Sequence, residues 1–108
     1  MIELVKNKIE EINALCKTLS VDKLWVFGSA NSDNFEEESD IDFLVSFEEL
    51  KIEDYAENYF LLAENLEKLF DRDIDLVTVK SLSNPYFIEE VNKSKSLIYD
   101  RQGEKIFI

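Results

Sequence analysis

Apolar positions along this chain switch between two periods, and the switches mark out its elements. Val5, Ile9, Ile12, Cys16 and Leu19 recur at spacings of three and four with Lys and Glu between them, which predicts an amphipathic helix over the first twenty residues. Ser20 to Asp22 break that period. From Lys23 to Phe27 apolar side chains occupy both faces, as in a central strand covered on both sides. Residues 29–39 are short, polar and acidic, which predicts a turn or brief helix continuing as an exposed loop. Asp40 to Phe47 reads as a second strand. Ile52, Tyr55, Tyr59, Leu62, Leu66, Leu69 and Phe70 then mark a long amphipathic helix over residues 51–70. Asp73 to Val79 reads as a third strand, with Asp73, Asp75 and Val77 on one face. Ser83-Asn84-Pro85 is a helix start, with Pro85 at the first helical position and a short helix running to about Asn92. Ser96 to Tyr99 predicts a fourth strand, Arg101-Gln102-Gly103 a turn, and Lys105 to Ile108 an edge strand.

The alternation of helices and strands within 108 residues predicts one α/β (α+β) domain over 1–108. Two Gly and one Pro are too few for a disordered or low-complexity chain, and 45% apolar residues suffice for a core. No apolar run approaches the roughly 20 residues of a membrane span, and no signal segment opens the sequence, so a cytoplasmic location and no membrane partner are expected. Cys16, the single cysteine, lies on the apolar stripe of the first helix and reads as a core residue.

Charge narrows the chemistry. Twenty-four acidic residues against 12 basic ones leave a net charge of −12, which argues against direct nucleic-acid binding, since that depends on Lys and Arg neutralising phosphates. A basic protein or a small ligand carried with magnesium fits better. No His occurs, which excludes His-based general base catalysis and His-ligated zinc. Reactions here must run on carboxylates, hydroxyls and metal.

Gly28-Ser29 closes the first apolar strand, and a Gly-Ser turn there can aim backbone N–H groups at an anion. Ten residues later Asp40-Ile41-Asp42 opens the second strand, and alternation puts both carboxylates on one face. The triplet returns as Asp73-Ile74-Asp75. Asp is disfavoured in strands and rarely buried alone, and clustered carboxylates resist ionising unless a cation sits among them. Four such residues beside a Gly-Ser turn favour a divalent metal site over water-facing edge residues. The Glu36-Glu37-Glu38 run reads as a solvated loop, and Tyr55 and Tyr59, at helical spacing, as core residues.

Gly28-Ser29, the ten-residue gap, Ser39-Asp40-Ile41-Asp42-Phe43-Leu44-Val45 and Ile74-Asp75-Leu76-Val77 together resemble the nucleotidyltransferase superfamily of DNA polymerase beta, and within it the small stand-alone minimal nucleotidyltransferases. The resemblance covers nearly the whole chain and includes the ending from Pro85 to Tyr99. It implies a mixed sheet of about four strands with helices packed against it, and transfer of a nucleoside monophosphate from an NTP, ATP or another. It further implies that Asp40 and Asp42 hold two Mg2+ ions and that Asp75 completes one ligand set and helps deprotonate the acceptor hydroxyl. Asp73 is the alternative third carboxylate. By the same resemblance, the Gly28 backbone and the Ser29 hydroxyl hold the β- and γ-phosphates. Many relatives place Arg residues after Gly-Ser. Here the stretch is Ala30-Asn31-Ser32-Asp33, leaving Lys23, Lys51 or a partner's Arg to clamp the phosphates.

For a core this small no acceptor-gripping domain is expected, and a second chain is implied. Such proteins resemble the antitoxin half of two-protein modules whose other half is a helical HEPN-domain ribonuclease toxin, where the implied activity is transfer of AMP to a tyrosine hydroxyl of the toxin. Two alternatives stand beside it: a non-catalytic antitoxin acting by contact alone, and a transferase acting on a small hydroxylated molecule of the aminoglycoside type. Phe35 and the tail Ile106-Phe107-Ile108 are candidate contacts for a homo-oligomer.

Overall fold

A computed structural model describes residues 3–28 and 40–103; residues 29–39, with Ser29, Phe35 and Glu36 to Glu38, and those beyond Gly103, where the edge strand and the Ile106-Phe107-Ile108 contacts are expected, lie outside the described residues. The order is α1 (Glu3–Lys6), α2 (Ile9–Thr18), β1 (Val21–Phe27), β2 (Ile41–Phe47), α3 (Ile52–Phe70), β3 (Ile74–Thr78), a 3-10 turn (Val79–Ser81), α4 (Pro85–Ser94) and β4 (Ser96–Asp100).

The single helix expected over the first twenty residues is broken at Asn7-Lys8. There the Lys8 N–H donates to the Val5 carbonyl at 3.0 Å, a three-residue return that tightens the chain out of the α-helical ladder. Asn competes with its own backbone for hydrogen bonds and is a poor interior helix residue. The apolar stripe survives the break, with Val5, Ile12, Cys16 and Leu19 all buried. Ser20, at φ 59°, then turns the chain into β1, and its carbonyl accepts from Glu48 N–H at 2.9 Å. That bond ties the start of β1 to the end of β2.

The four strands form one mixed sheet in the order β3-β2-β1-β4. β1 runs antiparallel to both β2 and β4, and β2 runs parallel to β3 through the α3 crossover. Because side chains alternate, β1 and β2 each feed two cores. Leu24, Val26, Ile41, Phe43 and Val45 face α2 and α3, where they meet Ile12, Cys16, Leu62 and Leu66. Trp25, Phe27, Leu44 and Val77 face the other way, around Val91 of α4. Asp42 shares this second face, since it sits two residues from Leu44.

The long helix lies where the periodicity put it, but its first apolar residue does not join the core: Ile52 is 81% exposed. Leu62, Leu66 and Phe70 are its buried residues, and Asp71, in the left-handed region at φ 51°, closes it. Tyr55 stacks edge-on against Phe47, and the Tyr59 hydroxyl donates to the Leu76 carbonyl at 2.6 Å, so both tyrosines serve packing. Cys16 is fully buried, and loss of solvation pushes its thiol up to about 12. It is an inert core residue.

α4 begins at Pro85 as expected and runs two residues beyond Asn92, to Ser94. The Asn84 side chain accepts from the N–H groups of Tyr86 and Phe87 at 2.9 and 3.3 Å. Removing that cap in Asn84→Ala is expected to cost about 1 kcal/mol. Urea unfolding checks it: the midpoint should fall while the slope stays unchanged.

Candidate functional site

The site is built where three strand ends meet on the α4 face. Register decides which carboxylates come together. Asp42 is paired with Phe27 on one side and directly with Asp75 on the other. Paired residues on adjacent strands hold their side chains on the same face about 5 Å apart, where like charges oppose each other. Asp40 lies two residues before Asp42, just outside β2, and is exposed, as is Asp75. Asp73 falls before β3 instead; its carbonyl accepts from Ile41 N–H at 3.3 Å, and its side chain is exposed. Asp75, rather than Asp73, is therefore the residue opposite Asp42.

Electrostatics follow from this arrangement. Asp42 is half-buried, and its carboxyl is pushed up to about 6, first by loss of solvation and then by the negative charges of Asp75 and Asp40. No cation among the described residues relieves it. Lys23 pairs with Ser46, four residues along β1 from Phe27, or about 13 Å at the usual strand rise. It forms an ion pair with Asp22 at 3.3 Å. Lys51 precedes α3, beyond the Phe47 end of β2. The expectation that either lysine clamps phosphate is corrected by this register: both lie at the far end of the sheet. Lys95 follows Ser94 on the site's own face, with its ammonium 4.9 Å from the centroid of the Trp25 ring.

Gly28 takes φ 70°, in the left-handed region where glycine alone is unstrained. A Cβ at this position would stand 2.6 Å from Asp42 Oδ2. The glycine thus makes room for the carboxylate as well as for the turn. Its N–H donates to Ser94 Oγ at 3.2 Å, while the Ser94 hydroxyl donates to the Glu90 carbonyl at 3.1 Å. A phosphate oxygen would have to displace Ser94 to take the Gly28 N–H. Ser29 lies outside the described residues.

Whether this cluster suits divalent metal is a question of its donors. Three carboxylates lie near one another, the half-buried one is held back from ionising first by burial and then by the charges of the other two, and hard oxygen donors of this kind are what magnesium takes. Among the described residues no three acidic, His or Cys side chains are already gathered around an ion position. Asp40 and Asp75, being exposed, have the rotamer freedom to close. The donor set fits the ion.

Beside Asp42, on the β1 flank, a cavity of about 300 Å³ opens between Phe27, Gly28 and Asp42 on the sheet and Phe87, Glu90 and Ser94 on α4. Nothing in the sequence pattern singles out Phe87, Glu90 or Ser94 for a site. The spacing of four between Glu90 and Ser94 along α4 is the one available sign that they share a side.

The polymerase beta nucleotidyltransferase family model matches residues 8–104. A Methanocaldococcus jannaschii protein described as a candidate protein adenylyltransferase is 38% identical over 98 residues, covering 86% of this chain and 95% of its own length. Among solved structures, a candidate minimal nucleotidyltransferase superposes with a TM-score of 0.65 at 28% identity, over 88% of this chain and 95% of that one. A chain from the complex of tri-AMPylated Shewanella oneidensis HEPN toxin with MNT antitoxin superposes with a TM-score of 0.62 at 22% identity, over 92% and 75%. One from a toxin–antitoxin structure with AMP-PNP gives 0.67 at 23%, over 89% and 77%. These last two share the fold. No helix among the described residues is long and apolar enough to cross a membrane.

Proposed function

The chain belongs to the polymerase beta nucleotidyltransferase family, and from that premise we propose that it transfers AMP from ATP to a hydroxyl of a partner protein, a HEPN-type toxin. The observation that carries the reading is the direct pairing of Asp42 with Asp75 across β2 and β3, with Asp40 beside them and Gly28 at the adjoining strand end. Like charges directly opposite each other destabilise a sheet. Keeping them on the face that also carries the Gly28 turn makes sense as a site for cations and a phosphorylated ligand.

In this reading Asp40 and Asp42 would hold two magnesium ions, and Asp75 would complete the ligand set of one. When bound, magnesium offsets the charge of the triphosphate and stabilises the attacking and leaving oxygens. Asp75 orients the acceptor hydroxyl and takes part in removing its proton. The acceptor oxygen bonds to the α-phosphorus in line, the bond from that phosphorus to the bridging oxygen breaks, and pyrophosphate leaves. The Ser29 hydroxyl and the Gly28 backbone receive the β- and γ-phosphates, with Gly28 N–H exchanging Ser94 for a phosphate oxygen. Lys95, on the site's own face, and a partner's Arg are candidates to stand in for the arginines absent after Gly28-Ser29.

Support for a protein acceptor comes from the 38% identical relative, described as a candidate protein adenylyltransferase. Support for a toxin comes from the fold shared with the antitoxin complexes. A net charge of −12 suits a basic, RNA-cutting partner. The test is the intact mass of a HEPN-type protein co-expressed with this chain or with its Asp40→Asn, Asp42→Asn variant. A gain of one or more AMP units with the native chain alone is expected. No gain, with the partner silenced equally by both forms, would replace transfer with neutralisation by contact.

A further inference from the structure

One apolar row on α3 is left outside the core. Ile52, Ala56 and Phe60 follow one another at intervals of four, which lines them up as a ridge about 12 Å long. All three are exposed, Ile52 at 81% and Phe60 at 68%. Resting on the reading that this chain acts on a protein, we propose that this ridge, with the cavity at its start, docks a basic amphipathic helix of the acceptor protein.

Shape is the first argument. A ridge of residues four apart fits the groove between two such rows on another helix, the commonest way in which helices pack. The Phe60 ring is already set for it. It rests edge-on against Tyr59, with centroids 5.3 Å apart, and the Tyr59 hydroxyl is fixed by its bond to the Leu76 carbonyl. An aromatic anchor held in place before binding loses little freedom on docking. At the start of the ridge a cavity of about 520 Å³ opens between Leu50, Ile52 and Tyr55 on one side and Thr78, Lys80 and Ser81 on the other. It offers room for an apolar side chain at the end of the docked helix.

Charge selects the occupant. Glu53, Glu57, Glu64 and Glu67 are exposed along the same outer face, and the only base in the helix, Lys68, is held by Glu64 at 3.1 Å. Glu53 and Glu57 form no ion pair with a described residue. An apolar ridge beside unpaired carboxylates suits a surface that carries Lys or Arg next to its apolar positions. A second copy of this chain would bring the same carboxylates face to face, and like charges across an interface oppose binding.

Position is the third argument. The cavity adjoins Thr78, at the far end of β3 from Asp75 and about 10 Å along the strand. Docking there leaves the carboxylate site free. Binding energy from a part of the acceptor that does not react can then bring its hydroxyl to the site.

Calorimetric affinity of the full chain for a HEPN-type protein, with MgATP binding measured on the same variants, tests the surface. Phe60→Ala and Ile52→Ala are each expected to weaken the protein partner about tenfold or more and to leave MgATP within about twofold. In the transfer reaction both should raise KM for the partner and leave kcat unchanged. Ile52 is too exposed for its truncation to act through the fold. Glu53→Gln combined with Glu57→Gln should slow association and flatten its dependence on salt. Partner affinity within about twofold of native in both Phe60→Ala and Ile52→Ala would overturn the surface and leave the transferase reading standing. Sedimentation of the native chain as a dimer that Phe60→Ala disperses would overturn the occupant in favour of a second copy. Binding lost in the ridge variants, with no AMP gained by the partner from the native chain, would uphold the surface and overturn the transfer. A native chain that does not bind the partner would remove both.

Discussion

Asp42→Asn is expected to abolish transfer and, in metal-free solution at neutral pH, to raise the melting temperature of the protein. The two effects have one cause. Asp42 is held against Asp75 and beside Asp40, and its carboxyl is pushed from 3.8 to about 6 by burial and by those two charges. The folded protein therefore binds this proton more tightly than the unfolded chain does. Stability from the protonated form is fully present below about pH 4 and is lost as the pH rises through about 6. At neutral pH the native chain carries that unrelieved charge, whereas Asn cannot ionise and keeps the neutral form at every pH. A shift of this size corresponds at most to about 3 kcal/mol. Asp42 is only half-buried, and solvent screening reduces the gain to about 1 kcal/mol. In a domain of this size that raises the melting temperature by about 4–8 °C. The catalytic loss should be on the order of 10²–10³-fold or more, as for removal of a group aimed at transition-state charge. Scanning calorimetry from pH 4 to 8, with and without magnesium, checks the stability side. Native stability should fall across this range and recover with magnesium, while Asp42→Asn should be flat and indifferent to the ion. Equal stabilisation of both proteins by magnesium would place the ion elsewhere.

Much of this site could be read in the sequence, and the part that could not has a physical reason. Gly28 closing an apolar run and Asp40-x-Asp42 opening the next are local signals, because strand alternation fixes which side chains share a face. The α3 helix and the Asn84-Pro85 start of α4 are likewise local, set by periodicity and capping. The break at Asn7-Lys8 is a matter of one turn's hydrogen bonds, finer than an apolar stripe that runs on through it. The pairing of Asp42 with Asp75 depends on the register of two strands separated by a 19-residue helix, and nothing local encodes that register. In the sequence Asp73 and Asp75 stand as alternatives; in space Asp75 lies opposite Asp42 and Asp73 lies outside the strand. Ser94, Glu90 and Phe87 carry no local signal for the same reason. Each is an ordinary helix residue until α4 packs over the end of β1 and turns one side of it toward Gly28.

Gly28→Ala is the substitution in which local backbone and remote carboxylate are both at stake, and it should impair activity far more than stability. The backbone part is bounded: a non-glycine residue at φ 70° costs roughly 1–2 kcal/mol. A domain of this class tolerates that loss. The carboxylate part is steric. The new Cβ would stand 2.6 Å from Asp42 Oδ2, and what gives way is the outer end of a side chain, so the sheet survives while the carboxylate is displaced. Displacing a reacting or positioning group by about 1 Å can cost on the order of 10²-fold in rate. The magnesium-dependent rise in melting temperature is the sharper readout, since strain at Gly28 alone would lower the metal-free and metal-bound proteins equally. If the Cβ acts through Asp42, Gly28→Ala should lose most of that rise. Combining it with Asp42→Asn should then remove nothing further, because two changes acting through one carboxylate do not add. Independent, additive losses would mean that Gly28 serves the turn alone and that its contact with Asp42 is incidental.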